Sequence, residues 1–127
     1  MDEKHQIIIE KSDPNKEIFD TIIFANRNIK FIQIPSFIKI ISSYAFEKCM
    51  LLNAIEFKYD SQLLLIDKNA FYNSSIKMIL VPSLVIKIGS NAFQHSNQLQ
   101  NVFFTKDSQL EIIDSYSFCN TGITNIS

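Results

Sequence analysis

Five phenylalanines, Phe24, Phe46, Phe71, Phe93 and Phe118, recur at spacings of 22, 25, 22 and 25 residues, so the larger unit is 47 residues long. Self-similarity at a fixed period of roughly 20–50 residues marks stacked structural repeats, and it restricts the fold more than any single motif could. The offset persists in polar detail: Asp60-Ser61-Gln62-Leu63 returns as Asp107-Ser108-Gln109-Leu110, and Pro35 returns as Pro82. Five residues before each aromatic stands Phe19, Ile41, Ile66, Ile88 or Ile113, and eight before, from the second onward, Ile38, Leu63, Val85 or Leu110. Ahead of these lie apolar triplets: Ile29-x-x-Ile32-x-Ile34, Leu52-x-x-Ile55-x-Phe57, Ile76-x-x-Ile79-x-Val81 and Leu99-x-x-Val102-x-Phe104. Ile123-x-x-Ile126 begins another.

Apolar-x-apolar with period 2 marks a half-buried strand, and the turn after it must bring the chain back to lay the next strand about 4.8 Å away. One such unit cannot bury its apolar face alone, whereas stacked units share a continuous core. The period therefore predicts an aromatic column of Phe46, Phe71, Phe93 and Phe118 beside aliphatic columns of isoleucine and leucine. Pro35 and Pro82 fall where strands end and cost no ladder bond. Asp20, Ser42, Asp67, Gly89 and Asp114, four residues before the aromatics, suit the start of a short helical turn.

With 127 residues, 46% of them apolar, the chain suits one domain over residues 1–127. Residues 5–28 read as a degenerate first repeat, because Glu10 and Lys16 replace apolar residues of the template; a polar terminal repeat acts as a cap. Residues 29–122 hold four repeats and residues 123–127 the start of a truncated one. An uncapped C-terminal edge implies either a longer array or edge-to-edge self-association with another chain.

Chemistry is sparse. Lys+Arg 12 against Asp+Glu 13 leaves no basic footprint for nucleic acid. The three isoleucines after Gln6 are too few for a signal-peptide core or a membrane span, so no direct membrane insertion is expected. His95 occupies a slot otherwise filled by Asn26, Lys48, Asn73 and Asn120, which reads as a solvated turn, and His5 lies near the N-terminus. No second ligand stands at metal spacing, so neither a metal nor a cofactor is expected. Cys49 and Cys119 lie three turns apart, about 14 Å by strand spacing and beyond the disulfide reach of about 7 Å. Asp60 with Asp107, or Asp67 with Asp114, would stand two turns or about 10 Å apart, each with a turn-forming role. Phosphate loops, nucleophile elbows and zinc motifs do not occur, and the chain reads as no enzyme.

The outward side of the strands is more informative. Alternation places Phe31 and Gln33, Ala54 and Glu56, Met78 and Leu80, and Asn101 and Phe103 there, with Lys58 and Thr105 alongside. Phe31, Met78, Leu80 and Phe103 are too apolar for an idle wet face. Two readings stand: a partner-binding strip, or residues that merely favour strands or lie under a neighbouring chain.

The segments Ile34-Pro35-Ser36-Phe37-Ile38-Lys39-Ile40-Ile41-Ser42-Ser43-Tyr44-Ala45-Phe46-Glu47-Lys48-Cys49 and Val81-Pro82-Ser83-Leu84-Val85-Ile86-Lys87-Ile88-Gly89-Ser90-Asn91-Ala92-Phe93 resemble the BspA-like leucine-rich-repeat family over about residues 29–127. Gly89 and Cys49 are the only glycine and cysteine in their slots, and Ser117 replaces alanine. The resemblance implies a curved, right-handed leucine-rich-repeat solenoid, mainly β, with one strand per repeat on the concave side and short helical turns on the convex side. It also implies a surface or extracellular protein that adheres to a protein ligand of a host or another cell. The alternative is an intracellular scaffold or self-associating structural repeat protein.

Overall fold

The structure, a computed structural model, describes residues 6–127; His5 and the start of the degenerate first repeat lie outside them. Eleven short strands occur in chain order: β1 (Ile7–Glu10), β2 (Thr21–Ala25), β3 (Phe31–Ile34), β4 (Ile40–Ile41), β5 (Ala54–Phe57), β6 (Leu65–Ile66), β7 (Met78–Val81), β8 (Lys87–Ile88), β9 (Asn101–Phe104), β10 (Ile112–Ile113) and β11 (Asn125–Ile126). The apolar triplets form β3, β5, β7, β9 and β11, while β4, β6, β8 and β10 precede each column aromatic. Each full coil thus contributes two strands, which corrects the expected single strand per repeat. The residue five before the aromatic is itself the second member of a two-residue ladder, where Ile41, Ile66 and Ile88 sit fully buried.

The two strand sets run along different sides of the coil. β2, β4, β6, β8 and β10 pair in parallel as one sheet, with β1 added antiparallel to β2 at its edge. On the other side, β3 pairs with β5, and β7 with β9 and then β11, all in parallel and in register. No ladder joins β5 to β7, so this second sheet is split.

Between the sheets stand the predicted columns. Phe46, Phe71 and Phe93 are fully buried. Their rings lie 4.9 and 5.0 Å apart at 8° and 2°, and Phe118 continues the stack 5.3 Å from Phe93 at 6°. The centroid spacing matches the strand spacing, so one ring per coil fills the interior as a continuous file. The file does not begin at Phe24. Ile22 pairs with Ile41 and the Ala25 amide donates to Ala45 O, the bond that Phe46 makes to Ala70 O one coil later. Ala25 therefore fills the column slot in the first coil and is fully buried, Phe19 is 48% exposed, and Phe24 turns outward beneath the Arg27 guanidinium, 4.6 Å from its ring. The same guanidinium closes the coil end by donating to Ala45 O (3.1 Å) and Tyr44 O (3.3 Å).

The expected helical turns are absent: no helix occurs among the described residues. Around each aromatic the amides alternate. Those of Ala45, Glu47 and Cys49 bond back three residues, while those of Phe46 and Lys48 bond to Ala70 O and Tyr72 O of the next coil. An α-helix would send every amide to its own carbonyl four residues back and leave none to stitch the coils. The alternation needs left-handed residues, and Tyr44 and Lys48, Asn69 and Asn73, Asn91 and His95, and Tyr116 and Asn120 all have φ of 54–63°. Half of these positions are asparagine, which tolerates that conformation best among residues with a side chain. The slot that His95 shares with Lys48, Asn73 and Asn120 is a turn as expected, and φ is what defines it. Gly89 serves close approach instead, since a Cβ there would lie 2.5 Å from the Lys68 backbone nitrogen.

At the N-terminal end the hairpin of β1 and β2 is pinned by Asp20. This residue does not start a helical turn; its carboxylate accepts from the Ser12 amide (2.9 Å), Ser12 Oγ (2.7 Å) and Thr21 Oγ1 (3.1 Å). Burial pushes the Asp20 carboxyl up, but these donors outweigh it and hold the acid below its usual range. A lowered folded value stabilises the fold above the ordinary carboxylate range and loses that contribution as pH falls through it. Asp20→Asn is expected to lower stability by a constant amount above about pH 5, with the gap to the parent closing as pH drops below about 4; urea titrations at several pH values test this. In the ring file, Phe71→Ala removes the shared neighbour of two stacked pairs, and its expected cost is about 3–5 kcal/mol. A loss under about 1 kcal/mol in the same titration would contradict the column as a principal source of stability.

Candidate functional site

The split in the second sheet coincides with an apolar groove on the outer face. Outward residues there form three rows across the strands. Phe31 pairs with Ala54 and Met78 with Asn101 in the first, Gln33 with Glu56 and Leu80 with Phe103 in the second. The third comprises Pro35, Lys58, Pro82 and Thr105, one residue past the end of each strand, with Pro82 buried. Strand alternation builds this face: Ile32, Ile55, Ile79 and Val102 point inward and are buried, so their neighbours must point out. Phe31, Met78 and Leu80 remain 50%, 48% and 50% exposed.

Ala54 is the small member of its row, between the bulkier Phe31 and Met78, and this size difference opens a groove of about 510 Å³. Phe31, Met78 and Leu80 wall it, and Ile55 and Ile79 of the core reach it through the split. Lys58 and Tyr59 border it on the turn after β5, where the chain is two residues longer than after β3 or β7. That extra length supplies two of the three residues by which the 25-residue spacings exceed the 22-residue ones, the third lying between the aromatic and the next strand, and it leaves the Tyr59 side chain wholly in solvent.

Of the ten residues that the sequence singles out, Phe31, Ala54, Glu56, Lys58, Met78, Leu80 and Thr105 line this groove. Gln33 adjoins it through Nε2, which donates to Glu56 Oε1 at 3.1 Å. Asn101 and Phe103 lie on the same face on β9, half-buried and away from the groove. Tyr59 and Asp107, which also line it, escaped the sequence reading because they sit in turns, where strand alternation says nothing about direction. Charge on the groove is unpaired: among the described residues the ion pairs are Lys11 with Glu17 and Lys87 with Asp114, both elsewhere. Thr105 Oγ1 is buried with no hydrogen-bond partner.

Other candidates resolve as structure. Among the described residues no group of three or more His, Cys, Asp or Glu could hold a metal ion, and no helix is long and apolar enough to cross a membrane. Asp67 and Asp114 accept the amides of the residues that follow them, and Asp60 accepts from Ser36 Oγ at 2.6 Å, all turn contacts. His95 meets the Tyr72 ring edge-on at 5.5 Å and Asn120 through Nδ1 at 3.3 Å. Both cysteines are free thiols; burial pushes that of Cys49 up, against the opposing pull of Arg27 Nη1 at 3.6 Å, which leaves it a poor nucleophile.

Comparison with known proteins gives a consistent picture. A family model described as "BspA type Leucine rich repeat region" matches residues 17–127 in 6 copies. Among solved structures, the pneumococcal vaccine antigen PcpA is similar at 30% identity and a TM-score of 0.70 over 76% of this chain. A leucine-rich cell surface protein from Faecalibacterium prausnitzii A2-165 shares the fold at 24% identity and a TM-score of 0.57 over 63% of this chain. The chain spans 26% and 20% of the lengths of those two proteins. None of the curated proteins matches this chain.

The orphan hydroxyl gives a direct test of the groove's local geometry. Thr105→Val removes an unsatisfied polar atom at nearly constant volume, and its expected effect is no loss of stability or a gain of up to about 1 kcal/mol. A loss of more than about 1 kcal/mol in chemical denaturation would mean the hydroxyl is bonded in solution.

Proposed function

The chain belongs to the BspA-type leucine-rich-repeat family, and on that premise we propose that it is a non-catalytic interaction module of a surface or adhesion protein, binding a protein partner on the outer face of β3, β5, β7 and β9. Leucine-rich repeats generally bind proteins, and the similarity to a surface antigen and a cell surface protein supports this setting. The observation that carries the reading is the half-exposed Phe31, Met78 and Leu80 around the groove over Ala54. Large apolar side chains clustered around a concavity are what interface hot spots are made of, and keeping them in water has no folding benefit. The partner-binding set is Phe31, Gln33, Ala54, Glu56, Lys58, Met78, Leu80, Asn101, Phe103 and Thr105.

The test is a triple variant, Met78→Ser, Leu80→Ser and Phe103→Thr, all outward positions. A partner is first identified by photo-crosslinking from position 80, and its affinity is then measured by biolayer interferometry on variants whose circular dichroism matches the parent. The expected loss is at least about tenfold in Kd, since truncating central apolar anchors costs more than about 1.4 kcal/mol. Undiminished affinity contradicts the reading.

A further inference from the structure

The groove's charge goes further than its apolar walls. We propose that it takes a basic side chain, arginine or lysine, from an extended segment of the protein partner, with the stem along Met78 and Leu80 and the charged head at Glu56. This rests on the outer face being the docking surface.

Size comes first. A groove of about 510 Å³ holds one long side chain and the backbone carrying it, and is a fraction of a whole protein interface. Its shape is a dip over Ala54 between Phe31 on one side and Met78 and Leu80 on the other. Unbranched methylenes pack well against a thioether and a leucine, and a guanidinium stacks on aromatic faces.

Charge then selects among occupants. The groove is lined by two carboxylates, Glu56 and Asp107, against one ammonium, Lys58, and none of the three is in an ion pair among the described residues. Gln33 Nε2 holds Glu56 by Oε1, which fixes the carboxylate. An apolar plug would strip water from the Glu56 carboxylate and offer it no partner in return. An acidic occupant would face two like charges. A cationic one instead meets a held acceptor at Glu56 in a groove that also carries the Asp107 carboxylate.

The experiment uses phage-displayed random heptapeptides, panned on the whole chain and counter-selected on Ala54→Leu, which fills the dip at a half-exposed position. Equal thermal melting of the two proteins confirms that both are folded; Ala54→Gln, a polar filler, is the second variant should the leucine form misfold. The expected consensus carries one arginine or lysine beside a large apolar residue. A synthetic peptide of that sequence is expected to lose about tenfold in Kd when the basic residue becomes glutamine, and about as much against Glu56→Gln. Its affinity is also expected to fall from about 50 to about 500 mM NaCl, a range over which the screening length shortens from roughly 14 to roughly 4 Å. Peptides that depend on Ala54 but show no basic residue, or bind the parent and Glu56→Gln within about twofold, overturn this inference and leave the docking reading standing. Failure to select any peptide on the parent over Ala54→Leu overturns both.

Discussion

Coil-to-coil register in the turns is the constraint on which the rest of the structure depends. Strands in parallel ladders exchange hydrogen bonds by their nature, but the turn around each aromatic has to be built so that every second amide leaves its own coil. The Phe46, Phe71 and Phe93 amides each donate at 2.7 Å to the coil that follows, and Lys48, Asn73 and His95 do the same two residues on at 2.9, 2.9 and 3.0 Å. These bonds fix the axial rise at the turn to the same value as in the sheets. A ring placed one residue away is thereby set about 5 Å from its counterpart, close to the optimum for stacked aromatics. The aromatic file and the turn ladder are two consequences of one register.

That register was legible where the sequence repeats strictly. Isoleucine triplets, the two prolines and the 47-residue offset located β3, β5, β7, β9 and β11 and the file from Phe46 onward, because side chains in stacked coils must match in size at every level. The first coil is out of step with the aromatic spacing by one residue. Phe24 resembles a column aromatic in type, but it belongs to β2, whose register is set by pairing with β1 and β4, and that pairing puts Ala25 inside. Local identity lost to tertiary pairing. The turns were misread for a different reason: serine, aspartate and alanine before the aromatic suit a helix start, and the competing preference lay in the paired asparagines at 69 and 73, whose φ of 56° and 54° marks a left-handed break.

The candidate site was readable in part, because alternation tells which strand residues face outward and nothing about how deep the space between them is. Depth comes from Ala54 beside Phe31 and Met78, from the ladder break between β5 and β7, and from the longer turn carrying Tyr59. The first is a size contrast visible in sequence only once strand neighbours are known. The second is a property of the packed sheet. A face that repeats in slot but not in chemistry is how an array can be uniform inside and particular outside: Ile32, Ile55, Ile79 and Val102 are interchangeable core residues, whereas Gln33, Glu56, Leu80 and Phe103 beside them are four different chemistries.

Native-state hydrogen exchange, resolved by residue with NMR, addresses the shared register most directly. The amides of Phe46, Phe71, Phe93, Lys48, Asn73 and His95 lie in turns without regular secondary structure, yet each is bonded to the next coil. They are expected to be protected to the same degree as the strand amides of Ile41, Ile66 and Ile88, exchanging only as the array opens. Exchange of those turn amides at the rate of freely exposed loops, with the strands still protected, would contradict the account.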